Sequence, residues 1–116
     1  MNQTHMQAAQ AAMSAWLAHP LELGKAPKRI ECAGQFDYQE MRYYIFKYKS
    51  SLFGPWLVGV CGGYEGDDLT HCGYVFSEMQ PYNEATAKKQ CIAMVEMMMN
   101  YWRARAEQYL KENPRQ

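Results

Sequence analysis

Met41-Arg42-Tyr43-Tyr44-Ile45-Phe46-Lys47-Tyr48-Lys49 is the segment on which the fold turns. It is rich in aromatic side chains, has no glycine or proline, and reads as a β-strand. Tyr44, Phe46 and Tyr48 make one face, which should point to a core. Tyr43, Ile45, Lys47 and Lys49 make the other. That face grows more polar toward its end, as a sheet face does when it runs out into solvent.

Working outward, Ile30, Cys32 and Phe36 suggest a preceding strand, weakened by Gly34, with a polar turn over residues 37–40. Residues 50–55 form a loop closed by Gly54-Pro55. A third strand follows over residues 56–61, with Trp56, Val58 and Val60 on one face, stopped by Gly62-Gly63. A fourth spans residues 71–77, with Cys72, Tyr74 and Phe76 alternating. Short loops between consecutive strands imply antiparallel pairing.

Helical patterns flank these strands. Residues 4–19 are rich in Ala, Gln and Met, and Met6, Ala9, Met13, Trp16 and Leu17 recur at helical spacing. Pro20 ends that helix, and residues 20–29 connect it to the sheet. Asn83 can cap a second helix that runs from Glu84 to about Lys111, with Ile92, Val95, Met99, Trp102, Ala106 and Tyr109 as its stripe. The expected fold is a single α+β domain over the whole chain. It has two layers, in the order α-β-β-β-β-α: a four-stranded antiparallel sheet with both helices on one face.

The 116 residues hold 12 basic and 12 acidic side chains, so the formal net charge is zero. That argues against a general nucleic-acid binder, which needs excess positive charge. No apolar run approaches the roughly 20 residues of a membrane span. The N-terminal residues lack the basic start and apolar block of a secretory signal, and no Arg precedes Arg29. A complete, cytoplasmic protein is the expectation. The four cysteines, Cys32, Cys61, Cys72 and Cys91, then read as reduced thiols inside a core.

Several constellations carry chemistry. For metal, no CxxC, HxxxH or CxxH pair is present. Cys61 and His71 meet only if their strands pair, with Cys32 or Cys91 completing a set, and buried thiols explain the same residues. For catalysis, Gly59-Val60-Cys61-Gly62-Gly63 sets a thiol at a strand end beside glycines whose N–H groups suit an oxyanion. His71 would be its base and Asp67 or Asp68 the orienter. A hairpin with a glycine loop accounts for the pattern equally. Residues 65–68 are acidic but lack the ligand spacing of an EF-hand loop. No metal and no cofactor is expected.

Arg42, Lys47 and Lys49 interleave with Tyr43, Tyr44 and Tyr48, a pattern that some single-strand binders use. The helix-sheet-helix order is similar to that of double-stranded RNA-binding domains, with Lys88-Lys89 near the start of the last helix. The long final helix and neutral charge depart from that pattern, so nucleic acid is not the expected partner. In the last helix only Glu96 and Asn100 are strongly polar between Cys91 and Trp102. Met94, Met97, Met98 and Tyr101 need cover, from the first helix, from a second subunit or from a partner protein.

Four stretches together, His19-Pro20-Leu21-Glu22-Leu23-Gly24-Lys25-Ala26-Pro27, Tyr44-Ile45-Phe46-Lys47-Tyr48-Lys49, Trp56-Leu57-Val58-Gly59-Val60 and Phe76-Ser77-Glu78-Met79, resemble a family of small bacterial cytosolic proteins of unknown function. The resemblance covers most of the chain and implies a bacterial, cytosolic, single-domain protein. It implies no activity and assigns no functional residue.

The leading expectation is a non-enzymatic protein-interaction domain, with self-association as a homodimer through the last helix as one route. Immunity or chaperone-like roles fit the format by analogy of size and architecture. Trp56, Tyr64, Asp67, Asp68 and His71 are the expected partner-binding residues, because loop aromatics and charges have no packing role to explain them. Met94, Met97, Met98 and Tyr101 are the candidate interface. The alternatives are a cysteine-dependent enzyme centred on Cys61 and His71, and RNA binding through Arg42, Lys47 and Lys49. No membrane partner is expected.

Overall fold

The computed structural model describes residues 3–18, 25–64 and 74–113. The order is α1 (Gln3–Ala18), β1 (Arg29–Tyr38), β2 (Met41–Lys49), β3 (Leu57–Tyr64), β4 (Tyr74–Phe76) and α2 (Ala87–Glu112). The strands form one sheet in the order β1-β2-β3-β4, with every neighbouring pair antiparallel. The α+β class, the sheet and the element order are those the sequence implies.

The placement of the helices corrects the expectation. They take opposite faces of the sheet, which makes three layers. One cluster packs Ala8, Ala12, Ala15 and Trp16 of α1 on Tyr44, Phe46, Tyr48, Cys61 and Val75. The other packs Ala87, Cys91, Met94 and Val95 of α2 on Phe36, Tyr43, Ile45, Val58 and Val60. The cause lies in β2 itself. Tyr43, Tyr44, Ile45 and Phe46 are consecutive and all buried, so both faces of the central strand need cover. Two helices on one face would leave Tyr43 and Ile45 in water.

The buried stripe of α1 also differs from the expected one. Ala8, Ala11, Ala12, Ala15 and Trp16 face the sheet, while Met6, Met13 and Leu17 are exposed. The small alanine face lets the helix approach a sheet surface already filled by rings. Trp16 is the one large side chain in that face. Its ring meets Tyr48 edge-on at a centroid distance of 4.7 Å and Phe46 at 6.1 Å.

Gly34 marks a β-bulge rather than a weak strand. The register steps from Cys32↔Phe46 to Gly34↔Ile45, leaving Ala33 as the extra residue. Gly34 has φ 155°, a conformation side-chain-bearing residues avoid. The bulge turns Phe36 toward α2, where it stacks on Tyr43 at 5.4 Å. In the middle of β3, a Cβ on Gly59 would enter the Phe46 ring, so that position admits only glycine without a shift.

Asn83 precedes the second helix without capping it. Its side-chain oxygen accepts from Ala85 N–H at 2.9 Å, forming a turn, and Thr86 stands at the cap position with no side-chain cap bond. From Ala87 the helix crosses the sheet as far as Met99. Residues 100–112 then continue past it, every one of them exposed.

Candidate functional site

Two surfaces stand out. The first is the free half of α2. At 1.5 Å per residue it extends roughly 20 Å past the sheet, and it gives the molecule its long dimension, 51 Å against 29 and 27 Å. Tyr101, Trp102, Tyr109 and Leu110 are each more than half exposed there. Tyr101 and Trp102 meet edge-on at 5.4 Å. Arg105 lies over both rings and donates to the Tyr101 hydroxyl at 3.1 Å. The sequence stripe Ile92, Val95, Met99, Trp102, Ala106, Tyr109 is continuous along this helix. Val95 is buried on the sheet, Ile92 and Met99 pack at its margin, and Trp102, Ala106 and Tyr109 carry the same stripe out into solvent.

The expected interface residues divide along this line. Met94 is wholly buried against the sheet and is core. Met98 is half-buried, and Met97 and Tyr101 are exposed. The sheet, not the first helix, supplies the cover on the inner half. Trp102 and Tyr109, read in the sequence as part of the helix's apolar stripe, are left open, as is Leu110.

The second surface surrounds Trp56. Arg29, Lys47 and Lys49 sit over its indole at 5.2, 4.8 and 4.9 Å, and Lys47 also reaches Tyr82 at 5.4 Å. Arg29 and Lys49 are direct cross-strand partners, a like-charge pairing that the ring between them helps to offset. Glu31, bonded to Arg29 at 3.3 Å, is the carboxylate of this group. The chain after β4 runs back beside Trp56, with Tyr82 N–H donating to its carbonyl and Val58 N–H donating to Gln80. Ser77 fixes that return. It gives its proton to the Val58 carbonyl at 2.7 Å and accepts from the Tyr48 hydroxyl at 2.8 Å and from Met79 N–H at 3.0 Å.

Of the expected partner-binding residues, Trp56 is thus placed, half-buried under cations. Tyr64 ends β3 opposite Arg42, and its side chain lies outside the described residues, as do Asp67, Asp68 and His71. The proposed RNA set is not brought together. Tyr43, Tyr44 and Tyr48 are buried on two different faces, and Arg42 bonds Asp37 at 3.2 Å at the far end of β2 from Lys47 and Lys49.

Sequence reading also passed over Leu52 and Phe53, at the tip of the β2–β3 loop. Phe53 is 99% exposed. Two large apolar residues between Ser51 and Gly54 were a readable signal, because a loop tip has no core to fill.

Among the described residues Cys61 and Cys91 are not brought together, and Cys72 lies outside the described residues. Cys61 is fully buried under α1, whereas Cys91 lies on the other side of the sheet, its Sγ donating to the Gly59 carbonyl at 3.5 Å. Burial pushes the Cys91 thiol up to about 12, and raises that of Cys32 as well. Both shifts disfavour the thiolate, the reactive form. Cys61 has no exposed surface to meet a substrate. Among the described residues no three His, Cys, Asp or Glu side chains are grouped to hold a metal ion, and no helix is long and apolar enough to cross a membrane. No protein-family model matches the chain, and no curated protein or solved structure is significantly similar to it.

Proposed function

We propose that this protein is a non-enzymatic docking module of the cytoplasm that engages protein through the free half of α2. The observation that carries the reading is the exposure of Tyr101, Trp102, Tyr109 and Leu110 on one projecting helix. Aromatic side chains of this kind dominate binding energy where proteins meet. A projecting amphipathic helix is also a common recognition element. The free thiols Cys32 and Cys91 fit a reducing compartment.

A photo-crosslinking phenylalanine analogue at position 109 tests this in the full chain, inside the cell that expresses it. Crosslinks to protein are expected from position 109 and not from position 88, an exposed site on the sheet-bound half. Equal background at both positions would overturn the reading.

The cations around Trp56 favour a second reading, an anionic partner such as single-stranded RNA bound through Lys47, Lys49 and Arg29. Its affinity would fall steeply with salt. Absence of binding at low salt removes it.

A further inference from the structure

We infer that the occupant of the free half of α2 is a second copy of this chain, paired antiparallel about a two-fold axis near Ala104. This rests on the docking reading above and names its partner.

The spacing of the stripe identifies the kind of occupant. Ile92, Val95, Met99, Trp102, Ala106 and Tyr109 alternate steps of three and four residues, the spacing of a seam between two helices. The sheet fills the inner part of that seam. A helix is what fits the outer part.

The residues themselves identify which helix. In an antiparallel pair centred near Ala104, Trp102 of each copy lies across from Ala106 of the other. Met99 lies across from Tyr109. The largest side chain of the seam meets the smallest, twice, by symmetry. A parallel pair would set Trp102 against Trp102 and leave Ala106 against Ala106. The free half carries three cations, Arg103, Arg105 and Lys111, and two carboxylates, Glu107 and Glu112, a net charge of only +1 per copy; Arg103 and Arg105 of the two copies gather near the axis, a repulsion that the seam contacts must outweigh.

Area is sufficient. Half-exposed aromatics contribute about 100 Å² each. With Leu110 and the stems of flanking side chains, two copies bury about 1,000 Å² together, the lower bound for a specific interface. A C2 contact uses the same patch on both copies and closes without extending into a fibre.

The test is a reciprocal exchange read by sedimentation velocity of the full chain over a range of about 0.1–100 µM. Wild type is expected to form a dimer in that range. Trp102→Ala leaves Ala against Ala and should weaken it on the order of 100-fold or more. Ala106→Trp sets Trp against Trp and should also weaken it. The double variant Trp102→Ala/Ala106→Trp restores a large residue across from a small one and should recover the dimer. Positions 102 and 106 are exposed in the single chain, so at concentrations too low for pairing all variants should keep the wild-type melting curve. A wild type that stays monomeric throughout, or a double variant no better than the single ones, overturns the inference. Monomeric wild type together with position-109 crosslinks to a different protein would overturn pairing while leaving the docking reading intact. Loss of both would sink the two together.

Discussion

Cys91 shows how one side chain ties the core to pH. Its thiol sits between α2 and β3, and the folded chain holds its proton up to about 12 where the ordinary value is 9.0. The unfolded chain gives that proton up earlier. Over the interval between these values the native state therefore binds more protons, and stability falls as pH rises. Below the lower value the contribution is complete. Tyr48 shifts the same way, through burial that its bond to Ser77 only partly offsets. Urea unfolding at about pH 8 and about pH 10.5 should show this loss, with a slope of at most about 1.4 kcal/mol per pH unit from Cys91. Cys91→Ala should give a shallower decline. An unchanged slope would mean that the thiol does not control it.

At the scale of the element, α1 shows what the sequence could and could not reveal. Its existence follows from composition, and its ends are near those expected. Its buried face does not follow from hydrophobicity, because the larger apolar residues Met6, Met13 and Leu17 point outward and alanines point in. Contact distance decided the matter: a sheet face already carrying Tyr44, Phe46 and Tyr48 has room for methyl groups. Ala12→Leu should accordingly destabilise the fold by about 1–3 kcal/mol through overpacking. Leu17→Gln should change it by less than about 0.5 kcal/mol. The reverse ranking in urea unfolding would refute this assignment of faces. β2, by contrast, was legible to the residue at both ends. Its double-sided burial was also legible, in the unbroken run Tyr43 to Phe46, but alternation alone conceals it. The candidate site was half legible. The stripe along α2 was visible in the sequence, but where the sheet stops beneath it depends on strand lengths and helix placement, which no local pattern encodes.

The described residues of the molecule form a three-layer body with a projecting helical arm. The two parts should differ in dynamics. Residues 87–99 share the core with the sheet. Residues 100–112 have only their own backbone bonds and a few side-chain contacts, and an isolated helix of that length is marginal in water. In dilute protein, hydrogen exchange should be faster over residues 104–112 than over residues 91–99. Protection of the arm should rise with protein concentration as copies pair, while that of the inner half stays constant. Uniform protection in the dilute sample would contradict this division.

The bulge at Ala33-Gly34 has a bearing on solubility. A sheet capped above and below by helices has only its lateral margins left for uncontrolled growth, and β1 forms one margin among the described residues. A straight margin of ten residues would template a neighbouring chain and seed fibrils. The extra residue breaks the even row of donors and acceptors midway, and the charges of Glu31 and Asp37 stand on either side of the break. The kink that aims Phe36 into the core thus also leaves β1 a poorer template for edge-to-edge pairing.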